Sequence, residues 1–159
     1  MIKAVCILKN ESKGINGIVI FEQTLDNISY TRVYGSLTGV KKGLHGFHIH
    51  QYGDTSKGCD SMGPHFNPLN RNHGDINDPV ENHVGDLGNI YSQGEEYETT
   101  FDLNVNNLNL IGQFSVIGRG LVLHEDADDL GKTNHALSKT TGNSGSRIAC
   151  GVIGIAASK

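Results

Sequence analysis

Apolar and polar positions alternate with a period of two in eight short stretches: residues 2–8, 17–23, 29–37, 44–50, 88–92, 97–105, 119–124 and 147–156. Successive side chains of a β-strand point to opposite faces, so this period predicts an all-β chain of eight strands folded as a sandwich or a barrel. Turn-forming residues at 10–14, 25–27 and 38–43 separate the first strands, and such short links favour antiparallel neighbours. Two stretches are apolar on both faces: Val5 and Ile7 alternate with Ala4, Cys6 and Leu8, and Ile153 and Ile155 alternate with Val152 and Gly154. Either loops or helices of the chain cover them, or one face meets a partner subunit. Residues 126–130 have room for one helical turn at most.

A length of 159 residues suits one domain with one buried core, read here as residues 1–159. The chain is 36% hydrophobic and 19% charged, and no apolar run approaches the roughly 20 residues of a membrane helix, so a membrane-spanning class is excluded. A formal net charge of −4 with no basic run opposes a phosphate backbone, which argues against nucleic acid as a partner. Residues 1–8 carry one lysine and no charged leader, long apolar stretch or cleavage site, so a cytoplasmic location is expected. Three cysteines, Cys6, Cys59 and Cys150, are too few for a disulfide framework or a four-thiolate zinc site. Cys6 alternates with Ala4 and Leu8 and reads as a small buried hydrophobe.

Two gaps between strands are far longer than the rest, residues 51–87 and 125–146, and long loops in a compact domain are usually functional. The histidines gather around them: His45, His48, His50, His65, His73, His83, His124 and His135. In the strand 44–50 the period of two puts His48 and His50 on one face, with Phe47 and Ile49 on the other. Taken alone, an H-x-H pair is most simply two histidines on a solvated sheet face. Its context changes that reading, because His124 ends a second apolar strand and His65, His73, His83 and Asp86 follow within the first long loop. Several imidazoles suit copper, whereas three histidines and one aspartate suit tetrahedral zinc, so two unlike metals fit the set.

The runs GLHGFHIH (43–50), GPHFNP (63–68), HVGDLGN (83–89), HEDADDLGK (124–132) and GNSGSRIACGVIGIA (142–156) resemble those of the copper/zinc superoxide dismutase family, in family order and across almost the whole chain. The resemblance implies an immunoglobulin-like, eight-stranded antiparallel Greek-key barrel or sandwich with two long functional loops. It implies one copper ion per subunit held by His48, His50, His65 and His124, and one zinc ion per subunit held by His65, His73, His83 and Asp86. His65 would bridge the two metals. Asp128 would join a copper histidine to a zinc histidine by hydrogen bonds, and His45 looks like a packing residue.

The implied reaction is disproportionation of superoxide to oxygen and hydrogen peroxide by copper redox cycling. His65 would leave copper on reduction and carry a proton, and Arg147 would dock the anion. The resemblance also implies a disulfide between Cys59 and Cys150, unusual in the cytosol. It implies a homodimer with Val5, Ile7, Gly53, Ile117, Gly118 and Ile155 near its twofold contact, and it allows a copper-delivery chaperone as a partner. The chain departs from the family in two places. The insert 74–82 is one residue longer than the commonest family spacing, and two family glutamates in the later loop are replaced by Ala136 and Leu137. The family lysine of that loop falls on Thr140, with Lys139 beside it and Thr141 matching, so guidance of the substrate rests on Lys139 and Thr141. Two rivals stand beside this reading. A cupin-type barrel with one iron or manganese leaves His73, His83 and Asp86 unexplained, and a metal store or superoxide-binding decoy has no need of Arg147.

Overall fold

The structure, a computed structural model, describes residues 1–158. Ten strands follow in chain order: β1 (Ile2–Asn10), β2 (Ile15–Gln23), β3 (Tyr30–Thr38), β4 (Gly43–His50), β5 (Ser56–Cys59), β6 (Asp86–Ser92), β7 (Thr99–Asn106), β8 (Gly120–His124), β9 (Arg147–Val152) and β10 (Gly154–Ala156). Eight of them form one antiparallel sheet in the order β6-β4-β8-β9-β1-β2-β3-β7, with β10 added to β1. The sheet curls until its end strands approach each other, a nearly closed Greek-key barrel. At that seam Thr99 Oγ1 donates to Ser92 Oγ (2.9 Å), whose own hydroxyl donates to the Val40 carbonyl (2.9 Å).

The inward-facing residues of the alternating strands form the core. Leu8, Phe21, Leu37, Phe47, Ile49, Leu121 and Leu123 are fully buried, and Phe47 meets Phe101 edge-on at 5.2 Å between centroids. Each such side chain contributes roughly 1.5–3 kcal/mol by leaving water. Cys6 lies among them, and burial pushes its thiol up to about 12, so it is the inert hydrophobe its position in the alternation predicted.

Two boundaries differ from the alternation. Residues 147–156, expected as one strand, are two, because the chain changes partner at Ile153. There the Ile153 N–H donates to the Arg119 carbonyl (2.9 Å) and its own carbonyl accepts from Gly118 N–H (2.7 Å), so β9 pairs with β8 and β10 with β1. The short β5 was not anticipated; it lies in the first long loop and ends at Cys59. Helical structure among the described residues amounts to 3-10 turns at Glu11–Lys13 and Asp60–Met62. Among the described residues no helix is long and apolar enough to cross a membrane.

Candidate metal centre

Strand β4 runs between β6 and β8, with Phe47 and Ile49 in the core. The face carrying His48 and His50 is not solvated, because both long loops fold over it: His48 and His50 are 0% and 1% exposed. The first loop is tied down by backbone bonds, with Phe66 N–H donating to the Ile49 carbonyl (2.8 Å), Ile49 N–H to Gly85 (2.8 Å) and Gly85 N–H to Phe66 (3.0 Å). A Cβ at Gly85 would lie 2.2 Å from the Ile49 carbonyl oxygen, so only glycine permits this approach. The second loop is tied by Gly46 N–H donating to the Asp126 carbonyl (2.9 Å). The odd-numbered His45 shares the parity of Phe47 and Ile49. Its ring nitrogens face the carbonyls of His124 (2.9 Å) and Lys41 (2.8 Å), which makes it a packing residue.

Four imidazoles converge in a first nest: His48, His50, His65 and His124, with ligand atoms all within 4.8 Å of one another. In three of them one ring nitrogen is engaged outside the nest. His48 Nε2 faces Asp128 (2.6 Å), His50 Nδ1 the Gly63 carbonyl (2.8 Å) and His124 Nδ1 the Gly145 carbonyl (3.1 Å). Their other nitrogens turn inward: Nε2 of His50 and of His124 are 3.4 Å apart. His48 Nδ1 and His65 Nε2 are buried with no hydrogen-bond partner. Orphaned buried nitrogens are costly and rare, and two of them in a cluster of histidines are what a metal site leaves when described without its ion.

The second nest lies on the other side of His65. Nδ1 atoms of His65, His73 and His83 are 2.9, 3.0 and 3.2 Å from Asp86 Oδ1, and those of His65 and His83 are 3.3 Å apart. A tetrahedron with Zn–N and Zn–O bonds near 2.0–2.1 Å has edges of about 3.3 Å, so this donor set fits a small tetrahedral cation. His48 also lies within 4.8 Å of His65, His73 and Asp86. Its Nε2 is taken by Asp128 and its Nδ1 belongs to the first nest, whereas His83 Nδ1 lies within 3.3 Å of both Asp86 Oδ1 and His65 Nδ1. His65 thus offers Nδ1 to one nest and Nε2 to the other.

Asp128 joins the nests, with Oδ2 on His48 Nε2 (2.6 Å) and Oδ1 on His73 Nε2 (2.7 Å). Two residues that hold it there were not read from the sequence. Asn89 clamps its backbone from both sides, accepting from Asp128 N–H (2.7 Å) and donating to its carbonyl (3.0 Å). Gly142, at φ +72°, lies so close that a Cβ would sit 2.1 Å from Asp128 Oδ1 and 2.5 Å from His73 Nε2. Gly142→Ala is therefore expected to push the carboxylate off His73 and weaken metal binding in the second nest about 10–100-fold, the usual cost of losing such an outer partner. Competition with a chelator reads this directly, and an unchanged affinity refutes the role given to Gly142.

Arg147 opens β9 opposite His124 in β8. Its Nη1 donates to the Cys59 carbonyl (2.8 Å) and its Nη2 to the Gly63 carbonyl (2.7 Å). The Cys59–Cys150 disulfide is present, and it ties the first loop to β9 beside this arginine. Lys139 and Thr141 lie in the second loop, which meets the first where His73 N–H donates to the Lys139 carbonyl (2.8 Å).

A family model for copper/zinc superoxide dismutase (SODC) matches residues 15–153. The chain belongs to that family. A solved structure of the clock protein EA4 is also similar, with 45% identity and a TM-score of 0.88 over 97% of this chain and 94% of that one.

In this superoxide dismutase family member, burial sets the protonation of the first nest. It lowers His48, His50 and His65, and it lowers His124 to about 4 against the opposing Gly145 hydrogen bond. All four imidazoles are thus neutral near pH 7, the form that ligates a metal. In the second nest burial would also lower His73, but the Asp128 and Asp86 carboxylates outweigh it and raise that group to about 9. Burial likewise opposes the charge on Asp86, and hydrogen bonds from the three histidines hold it well below the usual carboxylate range.

These shifts have opposite signs in stability. The first-nest imidazoles bind fewer protons folded than unfolded, so their contribution is complete above about pH 6.5 and falls away toward pH 4. That of His73 is complete below 6.5 and is lost as pH rises through about 9. The metal-free protein is therefore expected to show a urea midpoint that drops between pH 6.5 and 4. A midpoint flat over that range contradicts neutral burial of the first nest.

Proposed function

We propose that the protein disproportionates superoxide, holding copper in the first nest (His48, His50, His65, His124) and zinc in the second (His65, His73, His83, Asp86). The observation that carries this reading is the single imidazole of His65, with one nitrogen aimed into each nest. The all-imidazole set favours copper and the mixed nitrogen–oxygen set favours zinc. When bound, copper supplies a reversible one-electron couple and zinc a fixed, redox-silent positive charge.

The residues of the chain do the rest. Two superoxide ions and two protons give one oxygen and one hydrogen peroxide, one superoxide being oxidised and the other reduced. Arg147 keeps its charge at any physiological pH and presents a planar fork of donors, so it orients the small anion beside His124. His65, anchored through Nδ1 in the second nest, would take up a proton on Nε2 while that nitrogen is not donating to the first nest and pass it to the reduced oxygen, the second proton coming from solvent. Asp128 keeps His48 and His73 in one orientation, so each nest presents its lone pairs without rearrangement. Lys139 and Thr141 serve the approach of the anion, in a loop where Ala136 and Leu137 add no negative charge. Copper and zinc content and superoxide decay, measured on one sample, test the proposal. One of each ion per chain with rapid decay is the expected result; a metal-loaded protein without dismutation, or one iron per chain, overturns it.

We also propose a homodimer in the cytoplasm. The support is the apolar surface left by β1 and β10, where Ile7 is 51% and Ile155 77% exposed, with Val5, Gly53, Ile117 and Gly118 as its other contact positions. Light scattering after size exclusion is expected to give twice the chain mass, and a monomer at micromolar concentration refutes it.

A further inference from the structure

Between the two long loops, facing the segment before β8, lies a cavity of about 600 Å³ whose wall contains Arg71, Arg119 and Lys139, reaches His65 and His83 of the second nest, and has no aspartate or glutamate. This is unexpected in a chain with 17 acidic residues against 13 lysines and arginines. Among the described residues none of the three cations has a carboxylate within salt-bridge distance; the lysine and arginine bridges all lie elsewhere.

Arg119 is the most firmly placed of the three. Its Nε donates to the Ser115 carbonyl (3.0 Å) and its Nη1 to the Gln51 carbonyl (3.0 Å). Its guanidinium carbon sits 3.8 Å from the centre of the Phe66 ring. The group is thus held rigid by two carbonyl oxygens and the Phe66 ring, with no carboxylate partner among the described residues. Arg71 makes no side-chain hydrogen bond in the fold; only its backbone is held, by Asn67. Its guanidinium is available.

Size and chemistry narrow the ligand. A water takes about 30 Å³ of liquid, so the cavity holds on the order of twenty of them, far more than a diatomic anion displaces. Arg147, His50 and His124 are not in the wall, so this is not the place where superoxide is oriented. Two guanidinium groups and an ammonium, with the Asn72 side chain beside them, match the charge density and paired oxygens of phosphoryl groups better than a single carboxylate.

We propose that this cavity, which adjoins the second nest and lies beside the point where Arg147 orients superoxide, binds a small, multiply charged phosphate of about the size of a diphosphate. Because His65 and His83 line the cavity, metal content is held constant in the test. Titration calorimetry of the protein as purified, with sodium pyrophosphate at low ionic strength and metal content measured before and after, tests it. Saturable binding of one pyrophosphate per chain is expected, at least tenfold tighter than inorganic phosphate. Arg71→Gln, which removes no side-chain bond of the fold, is expected to weaken it at least tenfold at unchanged melting temperature and metal content, and Arg71→Lys to restore part of the loss. No saturable binding, equal binding by Arg71→Gln, or heat that merely accompanies stripping of the metals overturns the proposal.

Discussion

Replacing His124 by alanine is expected to remove copper and superoxide decay together while zinc stays bound. His124 contributes one of the four inward nitrogens of the first nest and none to the second. The imidazoles around Asp86 are held without it, by contacts to Asp86 and Asp128. Because loss of an outer partner alone costs roughly 10–100-fold in metal affinity or activity, loss of a direct ligand should cost more than about 100-fold in copper affinity. The backbone of β8 is held by its pairing with β4 and β9, so the variant should fold. Metal analysis and superoxide decay on the same preparation decide the matter. Copper retained at one per chain with full activity would remove His124 from the site, and loss of both metals would show that the nests do not fill independently.

A comparable effect on stability is expected from breaking the disulfide. Cys59 and Cys150 are 91 residues apart, so the bond restricts a large part of the unfolded chain, and its removal should cost about 2–5 kcal/mol. Cys59→Ser should also lower superoxide decay with both metals in place, because the Cys59 carbonyl accepts from Arg147 Nη1 and the loop bearing it is then free to drift. Denaturant unfolding of wild type and variant under non-reducing conditions measures the first effect, and decay at matched metal content the second. A variant as stable and as active as the wild type refutes both.

The period of two made most of the barrel legible, since it follows directly from the pleat and from which face meets the core. It failed where the cause lay far off in sequence. Nothing in residues 147–156 announces that Ile153 pairs with the segment before β8, and β5 is too short for alternation to register. The histidines that converge were legible because histidines on one strand face and in one loop are chemically conspicuous. That His48 and His50 lie under cover was not, because alternation on one strand cannot tell a face exposed to water from one roofed by loops. Asn89 and Gly142 escaped for the same reason: Asn89 works on Asp128, 39 positions away, and Gly142 also lies against His73, 69 positions away, and an asparagine or a glycine carries no sign of it.

The Gly63 carbonyl oxygen accepts from both His50 Nδ1 and Arg147 Nη2. Both lone pairs of one atom therefore serve two side chains, so the spacing between the imidazole and the guanidinium is referred to a single peptide and not to two separate stretches of loop.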